Sequence, residues 1–186
     1  MNIVFKNLGA TNHTDQERER NDYYATPPKA VCELLKHEAF DNVLEPCCGE
    51  GHISNVLKEH GCSVTSSDLI DRGYGEVKDM FDIKEWNGDI VTNPPYKLAQ
   101  PSIEHFLNIT KEGCKIALFL KIQFLEGQAR RKFFDKFPPK YVYIASKRFS
   151  CAMNGDFENY HSGAMCYAWF VWEKGFFGEP SIRWIN

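Results

Sequence analysis

The hydrophobic and polar positions of the chain follow two periods, one typical of buried strands and one typical of amphipathic helices. Short apolar runs predict strands in "NVLEP", "SVTSSD", "DIVT", "CKIALFLK", "KYVYIAS" and "AMCYAWFVWEKG", with a short strand or turn in "DLIDRGYGEVKDMFD". Helical spacing occurs between them in "TPPKAVCELLKHEA", "GHISNVLKEHG", "PSIEHFLNITKEG" and "GQARRKFFDKF". We expect Thr26 with Pro27 and Pro28 to cap the first helix, and Gly61 to end the second.

Strands that alternate with helices predict an α/β fold, a doubly wound and mainly parallel sheet with helices on both faces. The length of 186 residues fits one domain, which we place at 21–186, after a polar segment at 1–20. In such sheets ligands bind beyond the carboxyl ends of the strands, so the residues at those ends are the candidates for function.

Composition indicates the cellular compartment of the protein, the redox state of its cysteines and whether it binds a metal. No apolar run is long enough to span a bilayer, and the first residues lack the pattern of a signal peptide, so we expect a cytoplasmic protein. The seven cysteines are an odd number and Cys47 and Cys48 are adjacent, which predicts reduced thiols. Because no CxxC pair occurs, we expect no metal site.

The first strand of the predicted sheet runs into a glycine-rich turn, "LEPCCGEG". Gly49 and Gly51 let the backbone approach a ligand closely, and the helix that follows offers free N–H groups. An ordinary strand-to-helix turn with positive φ would need the same glycines. Glu45, at the base of the turn, fits a cationic ligand better than a phosphate.

Two more acids follow at the predicted ends of later strands. Asp68 lies about twenty residues after the turn, where a carboxylate can accept hydrogen bonds from both hydroxyls of a ribose. Asp79 can receive an adenine amino group, and Met80 beside it can cover the ring face. Each acid alone is better explained by a surface position, but three at successive strand ends, in that order, predict a nucleoside pocket.

The strand "DIVT" stops at Asn93-Pro94-Pro95-Tyr96, where two prolines can neither continue a ladder nor enter a helix interior. An amine on a heteroaromatic ring is a poor nucleophile, because its lone pair is delocalised. The Asn93 amide oxygen and the Pro94 carbonyl can each accept one N–H and favour a pyramidal nitrogen. Pro95 stiffens the turn, and Tyr96 can stack on the ring. A plain Asn-Pro turn is the alternative.

These motifs resemble class I S-adenosylmethionine-dependent methyltransferases of the group that includes N6-adenine DNA methyltransferases, compact phage and prophage enzymes among them. The resemblance covers residues 21 to 174 and implies a seven-stranded, Rossmann-like sheet with an antiparallel late strand. It implies catalysis by Asn93, Pro94, Pro95 and Tyr96. The cofactor-binding residues it implies are Tyr23, Tyr24, Thr26, Pro27, Glu45, Pro46, Gly49, Gly51, Asp68, Asp79 and Met80. By the same analogy, "KRFS" holds the target nucleotide through Arg148 and Phe149.

The reaction that the resemblance implies is methyl transfer from S-adenosylmethionine to N6 of adenine in DNA, in a phage or restriction-modification setting. No separate target-recognition domain is evident, which suggests a short target, a partner subunit that recognises the sequence, or another substrate. RNA-adenine and protein-glutamine methyltransferases carry the same tetrapeptide, although "EPCCGEG" differs from the usual loop of the glutamine group. A non-catalytic nucleic-acid-binding protein on this fold is a further alternative.

Charge is divided unevenly along the chain, although the net charge is only −3. Acids outnumber bases before Lys97, and bases outnumber acids after it. The segment 130–148 holds seven basic residues and one acid, which permits a polyanion to lie over one face. A solvated helix face explains the same run.

Overall fold

The structure, a computed structural model, describes residues 23–153, 155–157 and 165–186. The polar segment expected at 1–20 lies outside the described residues. In chain order the strands are β1 (Tyr24–Ala25), β2 (Asn42–Glu45), β3 (Ser63–Asp68), β4 (Glu76–Val77), β5 (Asp89–Thr92), β6 (Lys115–Lys121), β7 (Tyr141–Ala145), β8 (Ala152–Met153), β9 (Tyr167–Glu173) and β10 (Ser181–Ile185). The helices are α1 (Pro28–Leu35), α2 (His52–Glu59), α3 (Ala99–Ile109) and α4 (Gln128–Lys136).

Eight of these strands form one sheet, in the order β10-β7-β9-β6-β5-β2-β3-β4. Strand β9 runs antiparallel to both of its neighbours, and the other strand pairs of this sheet are parallel. The predicted doubly wound, mainly parallel sheet with an antiparallel late strand is therefore confirmed. It has eight strands instead of seven, because β10 adds an edge strand beside β7 that the sequence pattern did not predict.

Apolar side chains are buried on both faces of the sheet. Along β6, Ala117 and Phe119 belong to the cluster that includes α1 and α2, whereas Ile116, Leu118 and Leu120 belong to the cluster that includes α3 and α4. Strand β9 alternates in the same way. Because both faces are covered, the central strands appear in the sequence as continuous apolar runs.

The start of α1 differs from the prediction. The helix begins at Pro28 after an extended Pro27, and no side chain caps it. The predicted cap from Thr26 is wrong, because its hydroxyl oxygen accepts a hydrogen bond from Nδ2 of Asn93 at 3.0 Å. The end of α2 agrees with the prediction, since Gly61 follows it with φ of 88°.

A two-stranded antiparallel ribbon lies apart from the large sheet. Its strands are β1 and β8, in which Tyr24 pairs with Met153 and Ala25 with Ala152. The ribbon reaches the carboxyl end of β5, because the Tyr24 carbonyl accepts a hydrogen bond from Asn93 at 2.8 Å. It therefore joins the segment before α1 to the segment after β7 at the edge of the sheet where ligands are expected.

The described residues were searched for disulfides, for helices that could span a membrane and for metal-binding groups. No disulfide joins the seven cysteines, all of which the structure describes. Within the described ranges, no helix is long and apolar enough to cross a bilayer. In the same part of the chain, no group of three His, Cys, Asp or Glu side chains is placed to hold a metal ion.

Candidate active site

A cavity of about 410 Å³ lies at the carboxyl ends of β2, β3 and β5. Parallel strands end at the same edge of a sheet, so side chains that are far apart in the sequence meet there. The sequence-predicted residues that line this cavity are Tyr23, Tyr24, Thr26, Glu45, Pro46, Asp68, Asp79, Met80, Asn93, Pro94, Pro95 and Tyr96. The structure therefore brings the three acids and the Asn-Pro-Pro-Tyr turn around one space.

Glu45 ends β2 and is only 1% exposed. The Ser54 hydroxyl of α2 donates a hydrogen bond to Oε2 of Glu45, and Ser54 lies 2.6 Å from the hydroxyl oxygen of Ser66. Burial raises the pKa of Glu45 from 4.5 to about 8, against the opposing effect of the Ser54 hydrogen bond. A cationic group in the cavity would lower that pKa again, so the carboxyl fits a ligand that carries an ammonium group.

Asp68 ends β3 and holds the glycine-rich turn. Its Oδ2 accepts from the backbone N–H of Gly49 at 2.8 Å, and its Oδ1 accepts from the N–H of Ile70 at 3.0 Å. Gly49 has φ of 53°, and a Cβ at this position would lie 2.3 Å from Cε2 of Tyr23. Only a glycine therefore lets the Tyr23 ring lie on the turn. Neither Gly49 nor Gly51 lines the cavity itself.

Asp79 and Met80 form a further part of the wall. Asp79 caps a short 3-10 helix, Met80–Asp82, because its Oδ1 accepts from the N–H of Phe81 at 2.9 Å. Met80 is 6% exposed, and its sulfur lies 3.5 Å from the Cys47 thiol and 3.5 Å from the Ser102 hydroxyl. Met80 thus presents a firmly held apolar surface beside a carboxylate.

Asn93 follows β5, and its amide is tied to the segment before α1. Nδ2 donates to the Tyr24 carbonyl at 2.8 Å and to the Thr26 hydroxyl oxygen at 3.0 Å. These two bonds use both N–H groups of the amide. Among the described residues no donor is paired with Oδ1, so this oxygen is left as an acceptor in the cavity wall.

Tyr96 begins a second 3-10 helix, Tyr96–Leu98, directly after the two prolines. Its hydroxyl donates towards Sγ of Cys151 at 3.7 Å, and burial raises its pKa well above the usual range. The Lys121 ammonium lies over the Tyr96 ring, 4.3 Å from its centroid, and the Tyr24 ring lies 5.8 Å away. Tyr96 is therefore a neutral phenol whose ring position is set by its neighbours.

Tyr23 and Arg72 cover the glycine-rich turn together. The Arg72 guanidinium lies 4.2 Å from the centroid of the Tyr23 ring, and the Tyr23 hydroxyl donates to Glu50 Oε2 at 3.3 Å. Burial raises the pKa of Tyr23 to about 12. Nε of Arg72 is buried and has no hydrogen-bond partner among the described residues. A cavity-lining guanidinium with a spare donor suits a carboxylate of a ligand.

Three cavity neighbours were missed by the sequence reasoning: Arg72, Lys121 and Cys151. Lys121 ends β6, so the rule that selects Asp68, a polar side chain at a strand end, also selects Lys121. Arg72 lies further along the loop after β3, where this rule does not reach. Cys151 carries no such signal, because its contacts with Asn93 and Tyr96 join segments that are far apart in the sequence.

Other predicted residues lie outside the cavity lining. Pro27 lies at the start of α1, and Arg148 is exposed after β7. Phe149 is 6% exposed and belongs to the core cluster that includes α1 and α2. The structure therefore places the Phe149 ring in the core and not in the cavity lining.

No protein-family model matches this chain, and no curated protein matches it. Solved structures do match. A protein of Pyrococcus horikoshii assigned as an RNA methyltransferase aligns with a TM-score of 0.60 at 14% identity, over 84% of this chain and 88% of that one. A protein of Agrobacterium tumefaciens assigned as an O-methyltransferase gives 0.57 at 13% identity, over 85% of each chain.

A third structure is assigned to the class I S-adenosylmethionine-dependent methyltransferases. This protein of Listeria monocytogenes aligns with a TM-score of 0.53 at 11% identity, over 84% of this chain and 61% of that one. The sheet of the present chain thus has the Rossmann-like methyltransferase fold. At such identities the likeness establishes the fold, and one fold serves many acceptors, so activity has to be argued from the cavity.

Proposed function

We propose that the protein transfers a methyl group from S-adenosylmethionine to the N6 amine of adenine in DNA. The observation that carries this proposal is the state of the Asn93 amide. Its two N–H groups are held at 2.8 and 3.0 Å by the segment before α1, so Oδ1 remains to accept from a substrate amine. The Pro94 carbonyl, next in the chain, supplies a second acceptor, and Pro95 limits the freedom of the turn.

The cavity fits the cofactor group by group. Glu45 suits the ammonium, Asp68 the ribose hydroxyls, and Asp79 the adenine amine, while Arg72 suits the carboxylate. The volume of about 410 Å³ lies in the range of small-molecule sites. When bound, S-adenosylmethionine supplies a methyl group activated by a positively charged sulfur.

The three cysteines in and beside the cavity, Cys47, Cys48 and Cys151, do not support a reaction through a cysteine nucleophile. Burial raises the pKa values of Cys48 and Cys151 to about 12, and it raises that of Cys47 further. Thiols in this state stay protonated near neutral pH and are poor nucleophiles. Direct transfer to a nitrogen held by Asn93 and Pro94 needs no covalent intermediate on the protein.

A basic edge beside the cavity supports a nucleic acid as the substrate. We define the basic edge as the bases at or after the carboxyl ends of β5, β6 and β7: Lys97, Lys121, Lys147 and Arg148. The backbone of Lys147 is held by two hydrogen bonds of 2.9 Å to the Asn186 side chain, so this part of the edge is anchored. Glu45, Asp68 and Asp79 lie at the proposed cofactor end of the cavity, together with Arg72, whereas the basic edge lies at the Asn93 end, which suits a polyanionic acceptor.

The remaining bases of the segment 130–148 are engaged or lie elsewhere. Arg131 pairs with Asp135 on the exposed face of α4 at 2.9 Å. Lys140 precedes β7, at the opposite edge of the sheet, and pairs with Glu173 at 2.6 Å. Apart from Lys140, the charge run therefore divides into a solvated helix face and the basic edge. A partner subunit would extend recognition beyond a short target.

Labelled cofactor tests the proposal. The protein is incubated with methyl-labelled S-adenosylmethionine and with duplex DNA, single-stranded DNA, RNA or a protein extract, and the labelled product is digested and identified. We expect N6-methyladenine in DNA. Label in RNA adenine would show that the protein is an RNA-adenine methyltransferase. Label in a protein glutamine would refute methyl transfer to adenine.

The matched variants are Asn93→Ala and Asn108→Ala. Asn108 is exposed on α3, away from the cavity. Asn93→Ala should abolish transfer while cofactor binding persists, because the amide oxygen contacts the acceptor and not the cofactor. Asn108→Ala should transfer at the wild-type rate. Unchanged turnover in Asn93→Ala would overturn the role of Asn93.

A further inference from the structure

Both N–H groups of the Asn93 side-chain amide donate hydrogen bonds to a segment that lies far away in the sequence. The Tyr24 carbonyl takes one N–H at 2.8 Å, and the Thr26 hydroxyl oxygen takes the other at 3.0 Å. Sγ of Cys151 lies further off, at 3.9 Å. Both short bonds go to the stretch that contains β1 and the residue after it, so the orientation of Asn93 depends on a segment outside the Asn-Pro-Pro-Tyr turn.

Only one orientation of the Asn93 amide is compatible with the groups around it. If Nδ2 and Oδ1 exchanged places, Oδ1 would face the Tyr24 carbonyl oxygen, and two acceptors would meet where a bond of 2.8 Å now stands. Neither oxygen carries a proton, so that contact is repulsive. The Tyr24 carbonyl therefore selects the orientation, and the Thr26 hydroxyl satisfies the second N–H that the selected orientation presents.

Thr26 is well placed to hold that second N–H. It is 2% exposed, so water does not readily replace its hydroxyl. Its backbone lies between the β1·β8 ribbon, where Ala25 pairs with Ala152, and the rigid Pro27 before α1. The hydroxyl does not cap α1, so it is committed to Asn93 and not to the helix.

We propose that Thr26 is a positioning residue for methyl transfer: its hydroxyl holds the Asn93 amide so that Oδ1 faces the acceptor amine. Without that hydroxyl, one buried N–H of Asn93 loses its partner and the amide samples other orientations. The kinetic consequence rests on the proposed function, whereas the hydrogen bond itself can be tested without any substrate.

Three variants test the proposal. Thr26→Val removes the acceptor at nearly constant shape, and Thr26→Ser keeps it. Thr110→Val is the control for replacing a buried threonine, since Thr110 is 5% exposed and its hydroxyl donates to the Phe106 carbonyl at the end of α3. We measure kcat, the cofactor Kd by calorimetry, and hydrogen exchange of the Asn93 side-chain amide by NMR in the protein alone.

Thr26→Val should lower kcat about tenfold, as expected when one hydrogen bond to a group that acts in the transition state is lost. Because Thr26 also lines the cavity, kcat is measured at saturating cofactor, where a change in cofactor Kd does not affect it. One Asn93 amide proton should exchange faster. Thr26→Ser should restore most of the lost kcat and the slow exchange, and Thr110→Val should behave as wild type.

Other outcomes overturn the proposal. Wild-type kcat in Thr26→Val at saturating cofactor, an equal fall in Thr26→Ser, or unchanged exchange of the Asn93 amide would each do so. If the wild-type protein transfers no methyl group to any acceptor, the proposed function falls. The exchange measurement then still decides whether Thr26 holds Asn93.

Discussion

The backbone N–H of Gly49 donates to Oδ2 of Asp68 across 2.8 Å, which joins the turn after β2 to the end of β3. Oδ1 of the same carboxylate accepts from the N–H of Ile70 at 3.0 Å. Each oxygen of a carboxylate has two lone pairs, so Asp68 can shape the turn and still accept hydrogen bonds from a ligand.

Asp68→Ala should therefore weaken S-adenosylmethionine binding by roughly tenfold to a hundredfold, the effect of losing hydrogen bonds to a charged group. Calorimetric titration measures this Kd. Asp71→Ala is the matched control, since Asp71 is exposed in the same loop and accepts from the Gly73 N–H at 2.9 Å. Equal affinities in the two variants would contradict the role of Asp68.

Much of the cavity could be predicted because its signals are local in the sequence. A strand is recognised from its apolar run, and the residue at its end is then known, which is how Glu45, Asp68 and Asn93 were found. Parallel pairing brings such ends together whatever the loops between them do.

The remaining features depend on contacts between distant residues. Thr26 lies 67 positions before Asn93, and a local pattern assigns it to the following helix as a cap. The pairing of Tyr24 with Met153 involves two-residue strands, which are too short to produce a period. Ile182 and Trp184 in β10 do alternate with polar residues, but only the position of β7 shows that they form a sheet edge.

Glu45 should make the stability of the ligand-free protein depend on pH. Its pKa in the folded protein is about 8, above its ordinary value of 4.5, so the folded state binds this proton more tightly than the unfolded chain. The stabilisation from this group is complete below about pH 4.5 and is lost as the pH rises towards 8. Glu45→Gln, which stays neutral, should remove that slope from urea unfolding curves recorded between these values.

Glu59→Gln is the control for the Glu45 measurement, because Glu59 is exposed at the end of α2. It should keep the wild-type slope of unfolding free energy against pH. A slope that persists in Glu45→Gln would show that another group causes it. The same carboxyl should release a proton when the cationic cofactor binds near neutral pH, which calorimetry in two buffers of different ionisation enthalpy detects.

Charge reversal at Lys147 and Arg148 should weaken DNA binding through the basic edge. Each phosphate contact contributes roughly 0.9 to the slope of log K against log salt, so the double variant to Glu should lower that slope by up to about 2. Lys132→Glu with Lys136→Glu, on α4, changes the charge equally and should retain more affinity. Fluorescence anisotropy at several salt concentrations measures the DNA affinity and its salt dependence for the two double variants. Equal losses in the two pairs would place the DNA on the helix face.

Gly49→Ala should weaken cofactor binding by displacing Tyr23. The glycine has φ of 53°, and an added methyl would lie 2.3 Å from Cε2 of Tyr23, so the ring and its contact with Arg72 must move. Gly61→Ala is the matched control, because Gly61 also has positive φ, at 88°, but an added methyl there meets no atom within 4 Å. Both variants should lose about 1–2 kcal/mol of unfolding free energy to backbone strain. Only Gly49→Ala should also raise the cofactor Kd in calorimetry, and equal Kd values would show that the Tyr23 cover does not contribute to binding.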